Sequence, residues 1–471
     1  MRHRVLCATG RALARTSIAA IVLIALVVMA CVTILYVRHH QQQRDTGAVA
    51  APRVAQAAEL PREGSFLQTV RLTDLQAPGT GEFGVTIPWD DAWFFSDPTR
   101  YNPDLAFASS VLASLAYAES GYYQQGSDQP AYMELALASL GFEDVSTESY
   151  RYRSEVVDEV LSLVTQTADS AAYAIASKPI ASADGAYDAE LILVSVRGSY
   201  GSEWLSNLQI LFEQDERAQE ADRAIADAVV RSSGADRAAG AEEDNPGYTE
   251  AAQEICDELS GRIRRAYGRG RSVKLLVVGH SRGGAIANLV GAWACDSLSA
   301  AVGDNATVPL HAGDEVFTYT FATPGTTTDA DARGGRYASI FNVLNPADIM
   351  TYLPLQAWGY ERYGVDASLP SSEDESFAKH YEQMSSSFAD IVGSSCPVDA
   401  DADRKARALI DDLSERIASI EELKTPAGVA HAFAILAEHV DPTTMLNGHY
   451  PSVYIAWLAQ ERREAASDQA S

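Results

Sequence analysis

Two glycines flank a serine in Gly279-His-Ser-Arg-Gly283, inside the run KLLVVGHSRGGAIAN that spans Lys274 to Asn288. A serine hydroxyl is a weak nucleophile until a base removes its proton and a third group orients that base. The five-residue pattern alone is weak evidence, because about 0.1–0.2 chance matches are expected in a chain this long when glycine runs near 7%. Its context is stronger. The apolar KLLVV supplies a strand, and Gly279 and Gly283 leave room for a sharp turn that lifts Ser281 above a sheet. Gly284, Ala285 and Ala287 then let a helix pack close to that strand. Ser281 is therefore the candidate nucleophile, and a plain structural turn is the alternative.

A nucleophilic serine of this kind is followed in the chain first by an acid and then by a histidine. The acid belongs just past a strand end, and SIFNVLNPADIMTYLP offers Asp348 there; a turn or cap residue beside Pro346 is its other reading. Asp314 precedes its strand and fits less well. Four histidines follow Asp348: His380, His431, His439 and His449. His431 lies in an apolar helical stretch and is expected to pack there. His439, before VDP, could serve as base. His449, in LNGHYPSVYIAWL, follows a flexible glycine and opens the last helix, which makes it the preferred base. His280 flanks the nucleophile and points elsewhere on the turn. Acyl transfer also needs N–H donors for the developing oxyanion. The Arg282 amide is one candidate, and the Ser199 amide, in the loop after LILVSVRGSYGSEW begins, is the other.

The elements that must position these groups read as strands alternating with helices. AELILVSVRGS is a strand entering a loop, YTEAAQEICDELSGRIRRAYGRG a helix ending at glycines, and EVFTYTFATP and YASIFNVLNPAD further strands. Nearly continuous apolar strands between helices indicate an α/β fold with a mostly parallel central sheet flanked by helices. NPDLAFASSVLASLAYAES reads as an amphipathic helix with Asn102 and Pro103 at its start. Two charged stretches, near 213–244 and 366–430, read as surface insertions, either of which could cover a site. The catalytic domain is expected over 86–461, with a tail at 462–471.

The N-terminus carries a different signal. Residues 16–37 are uncharged and apolar between Arg15 and Arg38. As a helix they would span about 33 Å, enough for a hydrocarbon core of about 30 Å. An uncleaved transmembrane anchor is preferred over a signal peptide, whose apolar region is shorter. Four arginines precede the span, so residues 1–15 are placed in the cytoplasm and the catalytic domain outside a cell membrane. Residues 38–85, rich in Gln, Ala, Pro and Gly, read as a flexible tether.

The whole chain has 471 residues, 36 basic and 64 acidic, a net charge of −28. All six charged residues before Asp45 are arginines, so the remainder carries −34. Such a surface repels phosphate backbones, which argues against a nucleic-acid partner. None of the five cysteines forms a C-x-x-C pair, and no Cys/His cluster has zinc spacing. A disulfide between Cys256 and Cys295 and two buried free thiols both stay open. DADADR at 399–404 lacks the glycine and the final glutamate of a calcium loop and reads as a solvated helix start. No metal site is expected.

Taken in order, LILVSVRGS…EWLSNL, GYTEAAQEI, VVGHSRGGAIANL, YTFATPG, FNVLNPADIMTYLP with WGYERYG, and GHYPSVYIAWL resemble the class 3, fungal-lipase-like family of the α/β-hydrolases over about residues 100–460. The resemblance implies Ser281 as nucleophile, Asp348 as orienting acid and His449 as base, with oxyanion donors at Ser199 and Arg282. It implies action on acylglycerols or other carboxylic esters without a cofactor. Three departures stand out: Asn245 occupies a position where the family often has His, the 213–244 stretch is long, and Arg282 is bulky and charged where many members place an apolar residue. The same machinery could serve an acyltransferase or peptidase, and a catalytically silent surface-binding protein is the non-enzymatic alternative.

Overall fold

Alternation along the strands decides the architecture. The computed structural model describes residues 63–73, 82–125, 132–147, 171–182, 185, 188–198, 246–301, 309–419, 422, 426–439 and 446–470. The expected anchor at 16–37, the charged stretch at 213–244 and Ser199 lie outside them. A seven-stranded sheet runs in the order β3 (Glu143–Ser146), β4 (Tyr173–Ile180), β5 (Ala189–Val196), β6 (Ser272–His280), β7 (Glu315–Phe321), β8 (Ile340–Leu344) and β9 (Val365–Ser368). From β5 to β9 every pairing is parallel, and β3 and β4 are antiparallel at one edge. On β6, Leu276 and Val278 enter one apolar cluster, and Leu275 and Val277 enter another on the opposite face. The two-residue period of a strand thus feeds two cores at once, which is why these strands are apolar throughout.

On one face lie α3 (Pro246–Gly268) and α4 (Arg282–Ala301); on the other lie α1 (Pro103–Gln125) and α8 (Pro451–Ala470). The Asn102 side chain caps α1 by accepting from the Asp104 and Leu105 amides at 3.0 and 3.1 Å, and Pro103 follows at the first helical position. The helix differs from its sequence reading: Leu105 to Ala118 are buried on every side. It is enclosed by the sheet, α8 and the hairpin described next. Two of its serines escape the cost of burial by bonding within the helix, Ser110 to the Phe107 carbonyl at 2.8 Å and Ser114 to the Ser110 carbonyl at 2.7 Å.

The stretch read as tether to residue 85 contains β1 (Ser65–Thr73) and the start of β2 (Glu82–Asp90), an antiparallel hairpin whose Val70, Leu72, Val85, Ile87 and Trp89 join the main core. A buried ion pair ties it to the sheet. Lys178 on β4 reaches Asp91 at 2.7 Å, and Asp91 also accepts from the Trp89 indole and the Gly64 amide, each at 2.9 Å. Asp91→Ala would leave the Lys178 ammonium buried without its counter-ion, an expected loss of about 3–5 kcal/mol of stability. Chemical denaturation measures this, and a loss below about 1 kcal/mol would contradict it.

The expected tail is also ordered, since α8 continues to Ala470. Within the expected insertion at 366–430, β9 completes the sheet, and α5 (Phe377–Val392) sends Met384 and Phe388 into the main core. α6 (Ala402–Arg416) and α7 (Pro426–His439) build a third apolar cluster from Leu409, Leu413 and Ile435 with Ile349, Leu355 and Leu446. His431 is exposed on α7 rather than packed. Cys256 and Cys295 are buried free thiols. No helix among the described residues is long and apolar enough to cross a membrane.

Candidate functional site

β6 ends at His280 and α4 begins at Arg282, so Ser281 alone makes the turn between strand and helix. Its φ is 59°, the left-handed region that costs a side-chain-bearing residue strain. The Ser281 amide donates to the Phe321 carbonyl at 2.9 Å, and its carbonyl accepts from Ala285 at 3.0 Å. Both pattern glycines are required by contact. A Cβ on Gly279 would fall 2.1 Å from the Gly283 carbonyl oxygen, and one on Gly283 would fall 2.4 Å from that of Val196.

Asp348 lies four residues past the end of β8. Its side chain caps the short 3-10 turn Ile349–Tyr352 by accepting from the Met350 amide at 3.0 Å. The capping carboxylate is also the one that meets a histidine. It is fully buried and accepts from the Tyr454 hydroxyl at 2.8 Å. His449 stands just before α8 with Nδ1 2.9 and 3.0 Å from the two Asp348 carboxylate oxygens and Nε2 2.8 Å from Ser281 Oγ. Residues separated by 67 and 101 positions in sequence thus form one hydrogen-bonded line. Because Asp348 accepts at Nδ1, the neutral imidazole carries its proton there and presents a bare Nε2 to the serine hydroxyl.

The loops that carry acid and base are bound together. Asn345 donates from its side-chain amide to the Gly448 carbonyl at 2.8 Å, and Gly448 packs so closely on Ala347 that a Cβ would fall 2.4 Å from its carbonyl oxygen. Asn447 donates to the Pro397 carbonyl at 2.8 Å. Sequence reasoning missed Asn345, Asn447 and Tyr454. Tyr454 reads there as one more apolar residue of the last helix, and burial beside the Asp348 charge pushes its hydroxyl well above the usual tyrosine range, keeping it a donor.

Arg282 opens α4, and the first amides of a helix have no intrahelical acceptor. They lie at the positive end of the helix dipole, where an anion is favoured. The end of β5 approaches from the other side: a Cβ on Gly198 would lie 3.0 Å from Ser281 Cβ. Ser199 is the next residue. Of the rejected histidines, His439 bonds Asp412 at 2.9 Å on α6, and His380 faces Glu464 at 3.1 Å. Asp412, Glu438 and His439 have ligand-like spacing, but Arg416 already bridges the two carboxylates at 3.0 and 2.8 Å.

A serine in the left-handed region at a strand-to-helix turn, bonded to an imidazole that a buried carboxylate orients, defines a serine-hydrolase type of site on an α/β sheet. Residues 193–358 match the family described as lipase (class 3). The match covers about a third of the chain and supports a carboxylic ester hydrolase of the lipase type. The segment includes Ser281 and Asp348, while His449 lies beyond it. No curated protein matches the chain in sequence. Among solved structures, it is similar to the Rhizomucor miehei lipase in complex with its propeptide, at 16% identity over 57% of this chain and 68% of that one, TM-score 0.33. It is similar to the lipase from Rhizopus microsporus var. chinensis, at 17% identity over 56% and 72%, TM-score 0.32. Lipase II from Rhizopus niveus is similar at 13% identity over 56% and 78%, TM-score 0.31.

Proposed function

We propose that the protein is a membrane-anchored hydrolase of acylglycerols or related lipid esters, working outside the cell membrane through an acyl-enzyme. The observation that carries this reading is the unbroken line Ser281 Oγ, His449 Nε2, His449 Nδ1, Asp348 at 2.8–3.0 Å. Ser281 attacks the ester carbonyl while His449 takes its proton, and Asp348 stabilises the imidazolium that results. The Ser199 and Arg282 amides hold the oxyanion. His449 returns the proton to the departing alcohol, and water then repeats the sequence against the acyl-serine. The apolar span at 16–37 would hold the enzyme beside its substrates, with the basic residues before it retained in the cytoplasm.

Full-length protein in vesicles is expected to release fatty acid from acylglycerol emulsions and to react once per chain with a fluorophosphonate. Absence of both ester turnover and labelling would refute the hydrolase. An added alcohol that captured nearly all acyl groups at the expense of hydrolysis would reassign it as a transferase. Protease added outside intact cells is expected to remove the catalytic domain; full protection would reject the extracytoplasmic placement.

A further inference from the structure

Two hydrogen bonds at opposite ends of the His449 ring fix its ends but leave it free to tilt about the line joining them. Something must stop that tilt, because the Nε2 lone pair has to stay aimed at Ser281 Oγ. The His280 ring stands beside that of His449, with centroids 5.0 Å apart and planes inclined by 56°. His280 is buried, and its main chain is fixed by pairing with Phe321. Its ring is fixed separately. The Tyr117 hydroxyl, from α1, lies 2.9 Å from His280 Nδ1, and Tyr454 meets the ring edge-on at 5.6 Å and 87°. The Tyr117 hydroxyl also fills the space at Gly198, where a Cβ would fall 2.2 Å from it and 2.4 Å from the His280 carbonyl oxygen.

We propose that His280, braced by Tyr117, is a positioning residue for the base: it forms the wall that sets the tilt of His449, and it locks that wall to the strand end from which the oxyanion loop departs. The inference rests on the Ser281–His449–Asp348 reading above and adds to it a fourth side chain that touches neither substrate nor proton. The wall has to be uncharged, because a second cation would oppose the imidazolium. Burial, and then the charge of His449, push the His280 ring well below the usual histidine range, which keeps it neutral beside the imidazolium. Its Nε2 is buried, with the His449 main chain beside it and no partner at full hydrogen-bond geometry among the described residues.

The test uses the full chain, a short-chain nitrophenyl ester, and fluorophosphonate titration to count functional serines. His280→Ala is expected to lower kcat per titrated site about 10–100-fold with KM within about two-fold, the scale of misplacing a catalytic group by about 1 Å. His280→Phe restores a neutral wall and is expected to recover to within about five-fold of the wild type. A merely structural residue would instead lower the number of titrated sites and leave kcat per site unchanged, which would overturn the inference, as would a Phe variant no better than Ala. Should His280→Ala fail to fold, Tyr117→Phe removes a single oxygen and is expected to lower kcat per site at least three-fold; a wild-type value overturns the inference. Wild-type protein that neither labels nor turns over would defeat the hydrolase reading itself, an outcome distinct from variants that label and turn over normally.

Discussion

Ser281→Ala is expected to lower ester turnover by about 10⁶-fold, leaving the residual rate that oxyanion donors and binding supply without a nucleophile. The His449 and Asp348 pair would persist, since neither of its 2.9–3.0 Å contacts involves the serine. Stability should change little, because alanine keeps the Cβ and the 59° backbone angle. Ser281→Gly separates chemistry from structure more sharply. It would be equally inactive, yet glycine adopts positive φ without strain, which offsets its larger unfolded-state entropy. Thermal unfolding of the two variants beside the wild type checks this. If the glycine variant unfolded well below the alanine one, Ser281 would not be strained as the backbone indicates. Residual turnover above about 1% in either variant would show that another residue attacks the ester.

What could be read from the sequence divides by the range of the constraint. The turn at Ser281 was legible because its demands are local: strand, glycine, serine and helix fall within fifteen consecutive residues. Asp348 and His449 were legible from chain order alone, each beside the end of a regular element. Tyr454 and Tyr117 were not, because a tyrosine in an apolar helix gives no sign that its hydroxyl meets a group 106 or 163 positions away. The fold was misread where polar side chains satisfy themselves. Ser110 and Ser114 make α1 look amphipathic, but bonds to its own carbonyls let their hydroxyls lie buried within Leu105 to Ala118. In the same way, Gln, Pro and Gly around residues 76–81 hid the alternation of β1 and β2, whose inward residues cover the core beneath α1 and α2 (Tyr132–Ser139). The charged helix α6 read as surface, but its Leu409 and Leu413 join a cluster with Ile349, next to the acid, and Leu446, shortly before the base.

That packing bears on the orienting acid, for which the second large effect is expected. Asp348→Asn should lower kcat about 10⁴-fold, the scale for losing the carboxylate that orients the histidine of a serine–histidine pair. Asp348 has three donors around its two oxygens: the Met350 amide on Oδ1, the Tyr454 hydroxyl on Oδ2, and His449 Nδ1 on both. An asparagine has one oxygen for them. With its NH₂ group placed at Oδ1 it would confront the Met350 amide; placed at Oδ2 it would confront Tyr454 and the imidazole. The second arrangement drives the proton of His449 to Nε2, where it faces Ser281 Oγ and cannot accept. Tyr454→Phe removes one of the competing donors while keeping the ring that packs on His280. In the wild-type background it should cost kcat only a few-fold, because two donors still hold the carboxylate. Combined with Asp348→Asn it should cost no more than Asp348→Asn alone. Steady-state kinetics normalised to fluorophosphonate-titrated serines measure all three variants. A loss below about ten-fold for Asp348→Asn would mean that His449 takes its orientation elsewhere, and strict multiplication of the two losses would mean that Tyr454 acts independently of Asp348.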